Sequence, residues 1–442
     1  MKKVKENFGK IILIIILVII FTISLLISVN TKYNSHPDEK EHYKAAMYFK
    51  NHNMPPKFTS NEIIDTFSSY GESRLTELDS YYFFVGKYTS IFSGIITSDE
   101  AEVFIARSFN LILLAILFVI CYKLYKNKNY LFMPFLITSQ LWYVFTYVNN
   151  DAWAVFLNMI FIYQLFYKES CFNKLMKTSK IELKEKPKLT ITKFILLGLL
   201  FYSLLTAKTN YLIATGISSI LYLIVNNKTM LKKDKLLKIG TILLVGILCL
   251  GIRLGIDYSI NRLDRIKNME QIRLSRASEK YLPPYEAGNF KWKEKGISFD
   301  AVIKNKTFYI VTLKSFIGVY GYMNKYAPDI FYNIIFASYI FFISYIIFYN
   351  IRNRKLKGIQ EGRIIPIILA IFSGCLVLAL SIIRAYTYDF QPQGRYLFPI
   401  IPLICANMYN QKKNKLLEIF FIIIAIVLII MYAIYGYSQL IQ

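Results

Sequence analysis

The densest run of residues able to do chemistry is Ser35-His-Pro-Asp-Glu-Lys-Glu-His42, which holds two of the chain's three histidines and three acids. From Asp38 onward, Tyr43, Ala46, Met47 and Phe49 have the spacing of a short amphipathic helix, which Asn53 and Pro55-Pro56 would end. On such a helix Asp38 and His42 lie one turn apart on one face, and Glu39 adjoins His42. Neighbouring carboxylates that interact titrate as a pair, and with an imidazole beside them they can hold or move a proton. A divalent metal on Asp38, Glu39 and His42 is a second option, although the second histidine that a zinc helix carries four residues on is missing. The plainer alternative is structural. Ser35 followed three residues later by Asp38 has the form of a capping box, and acids favour helix N-termini in any case.

What frame positions these residues follows from composition. Of 442 residues, 55% are hydrophobic, 16% aromatic and 18% charged, with a mean hydropathy of +0.39 and a net charge of +25. Soluble domains carry about 25% charged residues. Disorder is excluded by the hydrophobicity, and a basic nucleic-acid binder is disfavoured because its charge would sit on a water-soluble fold. Five cysteines, scattered in or beside apolar runs without a C-x-x-C spacing, make neither a disulfide framework nor a zinc site. The first apolar stretch, Ile11 to Val29, follows Lys2, Lys3 and Lys5 and is long enough to span, so it reads as an uncleaved first span. Further apolar windows lie at 103–122, 130–147, 152–167, 194–207, 209–225, 236–256, 330–349, 364–383, 396–409 and 416–437. Two of them, 194–207 and 396–409, are short, and the second contains Pro399 and Pro402. The expectation is an all-α polytopic membrane protein: one integral membrane domain over residues 1–442 with about eleven spans.

Orientation comes from Lys and Arg in the short loops. Alternate segments beginning with the N-terminus (1–10, 122–129, 168–193, 226–238, 351–363 and 410–418) hold 28 basic residues against 7 acids. The intervening loops 31–100 and 257–329 hold 7 basic with 10 acidic, and 13 basic with 8 acidic. The N-terminus is therefore expected in the cytoplasm and the two long loops outside. All three histidines, His36, His42 and His52, fall in the first outer loop, so any reaction is expected on the outer face.

Four stretches then fall into a pattern. Pro37-Asp38-Glu39-x-x-His42, directly after a first span and followed by Tyr43 and Ala45-Ala46, is similar to the first-loop signature of a bacterial polytopic membrane family. That family, long labelled only as of unknown function, resembles the GT-C superfamily of glycosyltransferases. Asn149-Asn150-Asp151 looks like its N-N-D-A segment, and Ala207-Lys208-Thr209 like its alanine-lysine turn. Gln393-Gly394-Arg395-Tyr396, leading to Pro399, resembles its Q-G-R-Y/F stretch. One segment departs: where the family carries P-P-L-Y-Y, this chain has Leu78-Asp79-Ser80-Tyr81-Tyr82, keeping the tyrosines without the prolines.

The resemblance implies transfer of a sugar from a polyprenyl-phosphate donor to a cell-envelope glycan or lipid acceptor outside the cytoplasm, with inversion. Asp38 would then be the general base, Glu39 its orienting partner and His42 a support. Lys208 and Arg395 would bind the leaving phosphate, with Arg384 and Arg107 behind them and Gln393 beside Arg395. Asp151, at the edge of the fourth window, is a further carboxylate candidate, with Asn150 as the helix cap in its structural alternative. Lys208 has its own alternative, snorkelling to the interface. No cofactor is implied, and a divalent metal stays open.

The second outer loop is less specific. Asn261–Lys280 reads as a helix ended by Tyr281-Leu-Pro-Pro284, and Tyr309–Met323 reads as a re-entrant or surface-lying segment. Tyr281, Tyr285 and Trp292 could stack on sugars or anchor the interface. The 35 tyrosines and 34 phenylalanines, beside an excess of Ile, Lys and Asn, look like compositional bias. Two other functions stay in view: a transporter or flippase of lipid-linked saccharides, and a non-catalytic envelope-assembly protein. Transport predicts mid-span charges and two similar halves with broken helices. No repeat is seen, and the ionisable residues gather at outer span ends.

Overall fold

A computed structural model of the chain describes residues 2–127, 129–179, 185, 187–225, 232–262, 265–282, 292–355, 364–388, 390–408 and 415–441. Pro283, Pro284, Tyr285, Asp389 and parts of the basic segments 168–193, 226–238, 351–363 and 410–418 lie outside the described residues.

Helices of eight residues or more follow one another along the chain. They are α1 (Lys2–Asn30), α2 (Glu39–Asn51), α3 (Tyr81–Ile91), α4 (Asp99–Lys126), α5 (Asn150–Phe166), α6 (Pro187–Thr206) and α7 (Leu212–Val225). Then come α8 (Lys233–Asn261), α9 (Arg265–Arg276), α10 (Lys306–Gly318), α11 (Asp329–Lys355), α12 (Ile364–Thr387), α13 (Ile400–Met408) and α14 (Lys415–Met431). The strands found among the described residues are β1 (Val319–Tyr320) and β2 (Lys325–Tyr326), an antiparallel pair with Val319 opposite Tyr326. The fold is all-α apart from that hairpin.

Among the described residues, six helices are long and apolar enough to cross a membrane: Phe8–Asn30, Asp99–Lys126, Pro187–Thr206, Lys233–Asn261, Asp329–Phe348 and Lys415–Leu440. Windows 152–167, 209–225 and 364–383 also form helices, α5, α7 and α12. The other two of the eleven expected windows do not form spanning helices. Residues 130–147 fold into a 3-10 turn at Met133–Leu136, a five-residue helix at Ser139–Tyr143 and turns, all of it buried. The reason is polar. Thr138 and Ser139 donate to the carbonyls of Phe316 and Ile317, and Gln140 accepts from the Val319 amide, so this run serves as a plug that other segments bond to. Residues 396–409 begin in a 3-10 turn at Gly394–Leu397 and continue as the nine-residue α13. At about 1.5 Å per residue such a helix is far shorter than a bilayer core.

Local sequence accounts for the elements nearest Asp38. Helix α4 is capped by Ser98, whose hydroxyl accepts from the Ala101 amide, with Asp99, Glu100 and Glu102 in its first turn and Lys123 and Lys126 in its last. Helix α2 carries Glu39 and Glu41 at its start and Lys50 at its end, and buries Ala45, Ala46 and Phe49 against α3. Gly86 of α3 makes that contact. A side chain there would meet the Ala46 carbonyl at 2.4 Å, so glycine is what lets the two helices touch along their backbones.

The two expected outer loops meet. Asn261, at the end of α8, accepts from the Phe58 amide and donates to the Pro56 carbonyl, and the Ser278 amide donates to the Ser69 carbonyl. The segment Tyr309–Met323, expected to be re-entrant or surface-lying, is the thirteen-residue α10 turning into the hairpin.

Candidate functional site

Asp38 stands at the N-cap position of α2 with φ 58°, the left-handed conformation, and its carboxylate makes no capping hydrogen bond. Aspartate tolerates that conformation better than most residues, but it is uncommon away from glycine. The capping alternative for this carboxylate therefore does not hold. Its carbonyl accepts the His42 amide at 3.1 Å, while the side chain turns to two arginines. Arg395 Nη2 donates to Asp38 Oδ2 at 3.0 Å, and Arg74 Nη2 lies 3.9 Å from the same oxygen. An unusual backbone beside a charge cluster is a pointer to function.

These groups line a cavity of about 790 Å³ whose wall also includes His42, Lys208 and Arg384. Along it runs an alternating series of charges. Arg395 Nη1 lies 3.7 Å from Asp151 Oδ2, and Lys208 Nζ donates to Asp151 Oδ1 at 2.7 Å. At the other end Arg74 Nη1 donates to Glu77 at 2.9 Å. Arg384 differs from these. Its guanidinium sits 5.3 Å from the Tyr388 ring and 5.9 Å from the Tyr396 ring, with no carboxylate at ion-pair distance among the described residues. An aromatic wall completes the cavity, where Tyr70 and Tyr281 pack at 4.5 Å between ring centres. Trp292 instead stacks on Phe390 and does not line the cavity.

Backbone and side-chain bonds fix these positions. Gln393 accepts from Arg395 Nε and donates to Gln391, holding the guanidinium in place. Gly394 packs directly on α10, where an added Cβ would sit 2.0 Å from the Phe316 nitrogen, so no other residue fits. Lys208 occupies the turn between α6 and the 3-10 turn Thr209–Tyr211, and it reaches Asp151 rather than snorkelling away. Asp151 lies in the first turn of α5, whose cap is Asn149, not Asn150: the Asn149 side chain accepts from the Ala152 amide.

Two expected site residues serve the fold instead. Glu39 is fully buried and grips Arg107, which is 1% exposed, through Nε–Oε1 at 2.7 Å and Nη2–Oε2 at 2.8 Å. The remaining donors of Arg107 reach the carbonyls of Ser28, Thr31 and Lys32 at the end of α1. Every direction of that guanidinium is occupied, so Arg107 leaves the phosphate set. Glu39 points away from the cavity, so it does not orient Asp38, and the candidate metal ligands do not converge. Among the described residues no group of three or more His, Cys, Asp or Glu side chains gathers around one point.

Electrostatics separate the titratable groups. Burial alone would raise the pKa of Asp38, but Arg395 and then Arg74 outweigh it and hold the carboxyl well below the usual range. The carboxylate is 40% exposed to the cavity, so water screens part of that effect. His42 is buried, with Nδ1 2.8 Å from the Tyr82 hydroxyl. Burial, followed by the Arg74 charge, lowers its pKa and keeps the ring neutral. Burial also lowers Lys208, against the pull of Asp151.

Arg74 and Asp79 escaped the sequence reading. Arg74 is the one arginine among the seven basic residues of the first outer loop, a cation on the side where the inside rule makes cations scarce, and that signal was available. Asp79 gave none. It is buried, accepts from the Tyr81 amide at 2.9 Å and from Asn150 Nδ2 at 3.2 Å, and burial pushes its pKa up to about 7. A carboxyl whose pKa rises on folding holds its proton more tightly folded than unfolded. Stability should therefore fall as pH rises from about 4 to about 7, then level off. Asp79→Asn mimics the neutral form. Thermal unfolding in detergent should show wild type and variant alike below about pH 4, with wild type losing roughly 2–4 kcal/mol relative to the variant by about pH 8. Parallel pH profiles would remove the buried-proton assignment. No protein-family model matches the chain, and neither does any curated protein or any solved structure.

Proposed function

We propose that the chain is a membrane-embedded glycosyltransferase that moves a sugar from a polyprenyl-phosphate donor to a cell-envelope glycan or lipid, with inversion. The observation that carries this is Asp38 itself: a carboxylate turned off its helix cap into a cavity, among the cations a phosphate leaving group needs. The acceptor hydroxyl oxygen attacks the anomeric carbon and gives its proton to Asp38. The bond from that carbon to the phosphate oxygen breaks, and its electron pair leaves on the phosphate, where Arg395, Lys208 and Arg384 stabilise the growing charge. His42, neutral and held by Tyr82, positions the face of α2 that carries the base.

The four stretches that resemble the family converge on this cavity from positions as far apart as Asp38 and Arg395, which supports the reading. Loop charge supports the placement: the cavity walls draw on the two segments expected outside, with the N-terminus in the cytoplasm. Lipid tails would lie against the exposed apolar faces of the long helices. The test is transfer from polyprenyl-phosphate-linked hexoses and pentoses by the protein reconstituted in nanodiscs with envelope acceptors. Arg384, with no carboxylate at ion-pair distance among the described residues, should contribute most to donor capture. Arg384→Ala is expected to raise the donor KM about 10- to 100-fold, with a smaller effect on kcat. An unchanged KM would take Arg384 out of the donor site.

A further inference from the structure

We infer that the donor phosphate and Asp38 compete for Arg395, so that donor binding frees the base. This rests on the glycosyltransferase reading above and adds to it a form of control. Asp38 is committed: one oxygen takes Arg395 at 3.0 Å and has Arg74 at 3.9 Å. A carboxylate between two guanidiniums is a poor proton acceptor. Arg395 is committed as well, to Asp38, to Asp151 at 3.7 Å and to Gln393. Yet Arg395 faces the cavity beside Lys208, where its guanidinium can meet a phosphate that Arg384 also reaches.

A guanidinium cannot give the same N–H to two anions. A phosphate entering beside Lys208 takes the outward fork of Arg395, and Asp38 loses its closest cation. Arg74 does not replace it, because Glu77 holds Arg74 at 2.9 Å from the other side. Asp38 therefore becomes more basic when, and only when, the donor is in place. Once transfer is complete the freed polyprenyl phosphate carries one more negative charge than the donor ester and holds Arg395 harder. Return of the carboxylate to Arg395 then helps to expel the product.

The test is binding, independent of turnover. Asn tolerates the left-handed conformation of residue 38 and keeps the carbonyl that accepts His42, so Asp38→Asn is expected to fold. A polyprenyl phosphate in nanodiscs, with inorganic phosphate as a separate arm, is titrated against wild type, Asp38→Asn, Arg395→Gln and the double variant. Competition predicts that Asp38→Asn binds polyprenyl phosphate about tenfold tighter than wild type, within the usual range of coupling between sites. In the Arg395→Gln background the same change should move affinity less than about threefold. The same pattern with inorganic phosphate assigns recognition to the headgroup; a pattern confined to the lipid assigns it to headgroup and chain together, and both support competition. Unchanged or weaker binding in Asp38→Asn overturns it, as does a gain that persists without Arg395, which would mark simple charge repulsion. Failure to bind any phosphate, in every variant, overturns it too. Tighter binding by Asp38→Asn with no sugar transfer by wild type would sink the transferase reading and leave competition standing. Loss of transfer without tighter binding would do the reverse.

Discussion

Asp38→Asn is expected to abolish sugar transfer, by about 10²–10⁴-fold in kcat, the range for removing a positioned general base. The protein should remain inserted and folded. What the fold asks of residue 38 is a left-handed backbone and a carbonyl for the His42 amide, and asparagine supplies both. The ion pairs it gives up are exposed to the cavity, and their loss leaves Arg395 with Asp151 and Arg74 with Glu77. Size-exclusion profile and thermal midpoint should therefore match wild type while turnover disappears. Full activity would end the base assignment; aggregation would mean residue 38 had a structural role after all.

Arg107, bound to the residue that follows Asp38, should behave in the opposite way. Arg107→Ala strips the buried Glu39 carboxylate of its cation and takes the arginine donors from the carbonyls of Ser28, Thr31 and Lys32, the last of which keeps the Ser35 amide. Removing one partner of a buried ion pair costs about 3–5 kcal/mol, a large part of a stability of about 5–15 kcal/mol. The expected result is a severe loss of folded protein from detergent extracts. Pairing Arg107→Met with Glu39→Gln removes the stranded charge and should recover part of the yield. A well-folded Arg107→Ala protein with selective loss of donor binding would return Arg107 to the phosphate site.

That contrast shows what could be read from residue types and what could not. Asp38 and Glu39 are adjacent acids with the same local signals, and only the packing of α1 and α4 decides that one is buried on arginine while the other faces water. A lone arginine in an apolar helix is a fair pointer to function, yet Arg107 is spent on the fold because unsatisfied carbonyls at the end of α1 lie within its reach. Six candidate spans among the described residues are legible because length and hydropathy suffice to mark them. The run 130–147 was misread for a related reason. Hydropathy scores burial, and a plug enclosed by protein is as apolar as a span enclosed by lipid; only Thr138, Ser139 and Gln140 betray it. Lys208, Asp151 and Arg395 were recoverable as candidates, but their union in one series of alternating charges depends on contacts up to 357 positions apart. Asp79 was noticed only as a departure from the family pattern, since nothing in its neighbours says that it will be buried.

The Arg107 knot has a mechanical meaning as well. One guanidinium holds the last turn of α1 and the first residue of α2, so Asp38 is tied to the tip of the first span with little slack between them. A helix that tilts to fit a thinner or thicker bilayer carries its tip with it. If the first helix spans a bilayer, the Asp38 carboxylate would ride at a depth set by that bilayer, like a gauge on a float, and for the proposed transferase the height at which a lipid headgroup is met would become part of substrate choice.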